Sequence, residues 1–134
     1  MLKRLLYISK YYKMDSLIIN DILKVARNNN LQHDITGALF LGSGFFIQCL
    51  EGNETEVYSL YQKIEKDERH TNVQLLDFSP IDSKVFKDWS MAFISSADLY
   101  DFKVDNLNTY TVDKIYSILA MLVKNDNDII PESD

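Results

Sequence analysis

The chain has 134 residues, 46% of them hydrophobic, enough for one domain that buries roughly two thirds of its unfolded surface. A net charge of -6, with no basic cluster beyond Lys3-Arg4, argues against a nucleic-acid face. No apolar run approaches the ~20 residues of a membrane helix, and the start MLKRLLYISKYY reads as a strand rather than a signal peptide, so a cytoplasmic chain is expected.

Residues 4–9 put Leu5, Tyr7 and Ser9 on one face and Leu6 and Ile8 on the other, as a buried strand does. Asp15 is placed to cap the following helix. There Ile18, Ile22 and Val25 recur at helical spacing up to Asn28-Asn29-Asn30, residues that tolerate the left-handed conformation and are expected to end it. Ile22, Ala26 and Asn30 lie four apart and form one row. The row is either ordinary packing ending in an asparagine C-cap, or the wall of a slot for a flat ring, with Ala26 leaving room and Asn30 offering an amide.

Residues 34–41 read as a second strand, Gly42-Ser43-Gly44 as a hairpin turn and 45–50 as a third strand, apolar on both faces except at Gln48. Gln48 shares its face with Phe46 and Leu50, so its amide needs partners; left unpaired it would cost ~1–3 kcal/mol. Cys49, the single cysteine, lies in the same apolar run. It has no histidine near it in sequence and fits a buried thiol in a reducing compartment better than a nucleophile.

Asn53 with Glu56, just ahead of Val57, Leu60, Tyr61 and Ile64, has the spacing of a capping box opening a helix to about Glu68. Asp67, Arg69 and His70 then gather at its end, as a solvated cap or as a grip on a ribose or phosphate. Residues 73–78 read as a fourth strand, 80–88 as a connection with a turn around Val85 and Phe86, and 89–94 as a fifth strand with Trp89, Met91 and Phe93 on one face. Helical patterns follow, weak over 99–104 and strong in Val112, Ile115, Leu119 and Leu122, and the acidic end is expected to fray.

This order predicts an α+β fold: a ferredoxin-like β-α-β-β-α-β core with an added strand, and C-terminal helices covering the outer sheet face. The expected organisation is a core over 1–94, a helical extension over 95–125 packed on the sheet, and a tail over 126–134. There is no Gly-rich phosphate loop, no metal-ligand spacing and no nucleophile elbow, so no enzyme is expected. Tyr7 and Gln48 stand out as polar groups on core faces that can satisfy one another.

A distributed set of residues carries a resemblance to a known family: Tyr7-Ile8-Ser9, Asp21-Ile22-Leu23, Ala26-Arg27, Asn30, Ile35-Thr36-Gly37, Phe46, Gln48, Leu50-Glu51-Gly52, Val57, Leu60-Tyr61, Ile64, Asp67-Glu68-Arg69-His70, Phe86 and Trp89-Ser90-Met91. With them the chain resembles the BLUF blue-light sensors that bind FAD, over most of its length up to Phe93. Those proteins usually have glycine before the Ile-Thr-Gly triplet, where Asp34 stands here.

The resemblance implies that Tyr7 and Gln48 form the photoactive pair and that Asn30 hydrogen-bonds the flavin ring. It implies that Ile22 and Ile64 sandwich that ring, with Ala26 beside it. Asp67, Arg69 and His70 would lie toward the ribityl chain and ring edge, and Lys63 toward the phosphates. The implied cycle moves an electron and a proton from Tyr7 through Gln48 and back, leaving rearranged flavin hydrogen bonds, a red-shifted state and no turnover. Ser9, Trp89 and Met91 would relay the signal through the C-terminal helices to an unidentified protein partner or another copy of the chain, with no nucleic acid or membrane involved. A small flavin reductase or an acylphosphatase-like hydrolase on the same fold, and an oligomerisation module without flavin, are the alternatives.

Overall fold

Strands apolar on both faces need a covering layer on each side. In the computed structural model, which describes residues 1–11, 14–42, 44–95 and 112–125, the sheet has both. The chain order is β1 (Leu2–Tyr11), α1 (Ser16–Gln32), β2 (Thr36–Gly42), β3 (Phe45–Asn53), α2 (Glu54–Glu65), β4 (His70–Pro80), β5 (Ala92–Ser95) and α3 (Val112–Asn125). The sheet order is β4-β1-β3-β2-β5, antiparallel except for the added β2–β5 pair. This is the ferredoxin-like core with its extra strand, placing Tyr7 opposite Gln48 on the two central strands.

Alternation along the strands divides the core in two. Leu5, Tyr7, Leu39, Phe46 and Leu50 face α1 and α2, where they meet Leu23, Val57 and Tyr61. Leu6, Ile8, Phe40, Ile47 and Cys49 face α3, where they meet Ile115, Tyr116, Ile118 and Leu119. Arg4 ties α3 down: its guanidinium bonds to Asp77 and Asp113 and lies 3.9 Å from the centre of the Tyr116 ring. The predicted helix over 99–104 and the tail over 126–134 lie outside the described residues.

Five local expectations are corrected. The triple asparagine does not end α1, which runs on to Gln32 with His33 as its C-cap; the left-handed residue is Asp34 at φ 53, the position where the resembled family has glycine. Aspartate tolerates that conformation, and Lys84 Nζ holds the Asp34 carbonyl at 2.7 Å. The second helix stops at Glu65 rather than Glu68, because Lys66 N–H and Asp67 N–H close a tight last turn on Lys63 and Ile64. Its cap is Asn53, bonded to Thr55 N–H, while Glu56 meets His33 instead of reaching back.

The fifth strand starts at Ala92, not Trp89, because α1 side chains take the Ser90 and Met91 carbonyls that a neighbouring strand would otherwise bond. With the ladder broken, the two-residue alternation fails there. Met91 and Phe93 join the core under α1 and α2, whereas Trp89 packs on the α3 side, so the three do not share a face.

Candidate functional site

α1 and α2 cross the same sheet face without closing over it, leaving a cavity of about 250 Å³ between them. This is just below the ~300–1,000 Å³ of pockets that bury a whole ligand of drug size, and suits a ring system whose tail leaves between the helices. Its floor is Tyr7, Leu39, Phe46 and Gln48; its walls are Ile22, Ala26 and Asn30 from α1 and Leu60 and Ile64 from α2; Lys63, Asp67, Arg69 and His70 line the rest. Of the residues singled out in the sequence, Ser9, Trp89 and Met91 do not line it.

At the floor Tyr7 Oη donates to Gln48 Oε1, and Gln48 Nε2 points at Met91 Sδ, 3.7 Å away. Sulfur is a weak acceptor, so that amide edge keeps most of its donor capacity. Asn30 is fully buried; its Nδ2 donates to the Ser90 carbonyl at 2.6 Å. Among the described residues its Oδ1 is a buried side-chain oxygen with no hydrogen-bond partner, which is costly unless a donor enters the cavity to meet it. An apolar slot between Ile22 and Ile64 with an orphaned amide oxygen at one side fits a flat heteroaromatic ring bearing N–H groups.

His70 is held at both ring nitrogens. Its Nε2 lies 2.6 Å from the Ile64 carbonyl, which can only accept, so Nε2 carries a proton, and Nδ1 hydrogen-bonds Ser9 Oγ at 2.8 Å. Asn72, at φ 53, accompanies a bulge of β4 against β1 that turns His70 inward. Arg69 grips Asp67 and reaches Asp21, and its hydrogen bond holds the Asp67 carboxyl below the usual range. The cavity rim is thus charged, while the floor is apolar apart from the Tyr7–Gln48 pair.

Sequence reasoning assigned no role to Arg27, whose Nε donates to the Met91 carbonyl at 3.0 Å, or to Leu39, Phe46 and Leu60 as lining residues. Leu39 lies opposite Gln48 across β2–β3, and Leu60 lies one turn before Ile64; phase was the available signal.

Burial, and secondarily the charge of Asp67, pushes the Tyr7 phenol well above its ordinary value; burial does the same for Tyr116. An unfolded tyrosine ionises near pH ~10. Beyond that pH the folded chain therefore binds more protons than the unfolded one, and its stability falls as pH rises. Thermal midpoints should be insensitive to these two groups up to about pH 9 and decline above about pH 10. Their phenolate absorbance should appear only with unfolding, as a combined absorbance and circular-dichroism titration would reveal.

A family model described as sensors of blue light using FAD, BLUF, matches residues 2–92. Subunit beta of the photoactivated adenylate cyclase of Euglena gracilis is 34% identical over 103 residues, 75% of this chain and 12% of that protein. The blue light- and temperature-regulated antirepressor BluF of Escherichia coli K12 is 38% identical over 64 residues, 46% of this chain and 16% of its own length. The chain thus spans a small part of these curated relatives. Among solved structures, BlsA in its photo-activated state superposes with a TM-score of 0.79 at 29% identity, over 100% of this chain and 99% of the other. The dark state of BlrB, a BLUF protein, gives 0.80 at 28% identity over 92% and 96%.

Proposed function

This chain belongs to the BLUF family of blue-light sensors using FAD, and from that membership we propose that Tyr7 and Gln48 are its photoactive pair and that the signal leaves through residues 89–95 and α3. The module is a sensor rather than a catalyst, and BLUF domains bind FAD. Asn30 would hold the ring through its unpartnered oxygen, Ile22, Ala26 and Ile64 would flank it, and Lys63, Asp67, Arg69 and His70 would meet the tail. When bound, the flavin supplies blue absorption and, once excited, a strong oxidant.

The observation that carries the reading is the Tyr7 Oη to Gln48 Oε1 hydrogen bond at the cavity floor. A neutral phenol gives up an electron readily only if its proton can move with it. Tyr7 is kept neutral by burial, and Gln48 Oε1 is the atom to which that proton passes. Electron and proton then return to Tyr7, leaving the Gln48 amide rotated or tautomerised, with its donor turned toward the cavity. Nothing is consumed.

Residues 1–94 form the flavin-binding unit on this reading, and residues 95–125 hand the change to a protein partner or a second copy of the chain. Support for the route is local: Met91 meets Gln48 inside the core, the chain runs directly from it into β5, and α3 packs on β5. Among the described residues no helix is long and apolar enough to cross a membrane. The test is spectroscopic. The purified protein should be yellow, release FAD on denaturation, shift to the red under blue light and recover in the dark. Absence of flavin, or a spectrum indifferent to light, would sink the reading.

A further inference from the structure

Glu51 is 1% exposed, and the proton path just described makes no use of it. Burying a carboxyl is costly unless its oxygens are satisfied, and here they are satisfied by one particular stretch of chain. Val85 N–H donates to Oε2 at 2.7 Å and Phe86 N–H to Oε1 at 2.8 Å, while Thr36 Oγ1, directly across β2–β3, donates to Oε1 at 3.1 Å. The side chain therefore closes the turn at residues 85 and 86 from the central strand of the sheet.

That turn is the start of the segment that ends at Met91. Trp89 N–H bonds back to the Phe86 carbonyl, Gly37 N–H takes the Trp89 carbonyl, and Asn30 and Arg27 take the next two. The segment passes from one core to the other: Phe86 is buried with the α3 residues, Met91 with Tyr7 and beside Gln48. β3 consequently grips it twice, through Gln48 on one face and Glu51, three residues on, upon the other. β3 is a fixed reference, paired on both sides and with Ile47, Cys49 and Leu50 fully buried. Gly37 lets β2 approach it so closely that a Cβ there would stand 2.1 Å from the Cys49 carbonyl oxygen.

We propose that Glu51 is a positioning residue for the sensor's reset: it anchors the 85–86 turn to β3, so that a displaced Met91 is drawn back to its dark contact with Gln48. This rests on the photosensor reading above. Without the anchor the segment can follow Met91 as a whole, the displaced arrangement is less opposed, and recovery slows.

Glu51→Gln keeps the side chain's shape but replaces one acceptor oxygen with an NH2 that confronts a backbone N–H. The variant is expected to bind FAD and give a full red shift, since Tyr7 and Gln48 are untouched. Its dark recovery should be roughly tenfold slower, the weight of about one hydrogen bond in a barrier. A full red shift with unchanged recovery overturns the proposal alone; no red shift in the unaltered chain overturns the sensor reading and the proposal with it. Should Glu51→Gln fail to fold, amide exchange in the unaltered chain decides. Val85 and Phe86 protected in dark and light, with exchange at Trp89–Met91 faster in the light, supports the anchor; loss of protection at Val85 and Phe86 in either state overturns it.

Discussion

Gln48→Leu is expected to leave a yellow protein that no longer shifts to the red. Leucine is close to glutamine in volume and suited to apolar neighbours, so the cavity should keep its shape and the other residues proposed to hold the flavin. The Tyr7 hydroxyl loses its acceptor, an unpaired buried group worth ~1–3 kcal/mol, partly offset by no longer burying an amide. Folding should survive that sum, and the proposed proton path should not. Tyr7→Phe is the complementary variant, keeping the ring volume and removing the proton itself. Both should retain flavin at wild-type stoichiometry by absorbance after gel filtration, and neither should show the normal red shift in difference spectra under blue light. A normal shift in both variants would rule out the assigned roles.

The parts legible in the sequence were those governed by period and composition. The β-rich run in residues 4–9 and the run in 45–50, each with apolar residues on both faces, gave the central strands, and Gln48 was conspicuous because an amide in hydrocarbon has to be answered. The row Ile22, Ala26, Asn30 also carried through, since helical phase is unaffected by where the helix ends. What was not legible depends on contacts distant along the chain. Asn30 looked like a cap because asparagines terminate helices, yet its amide is held 60 positions away by the Ser90 carbonyl and α1 continues past it. Trp89 looked like a strand neighbour of Met91 because alternation was assumed across a stretch whose carbonyls are claimed by Asn30 and Arg27. Glu51 drew notice only within a motif; nothing local shows that a turn 34 residues later needs its oxygens.

Met91→Ala should separate detection from output. Met91 is fully buried and touches Gln48 through a polarisable thioether on an unbranched chain, the kind of side chain that repacks between two arrangements at low cost. Truncation removes the thioether that meets the Gln48 amide, while Tyr7, Gln48 and the residues lining the cavity remain. The red shift should persist. The cavity left behind should lower stability by ~2–5 kcal/mol, so Met91→Leu, which restores volume but not sulfur or flexibility, is the necessary companion. In the unaltered chain, blue light should speed amide exchange in α3, the helix packed on β5, by an amount lost in Met91→Ala and reduced in Met91→Leu. The stability loss alone would raise exchange equally in dark and light, so the light-minus-dark difference is the quantity to compare. Equal differences in all three proteins would mean that the signal bypasses residue 91, and the end of α1, where Asn30 and Arg27 hold the same segment from the other side, becomes the route to examine.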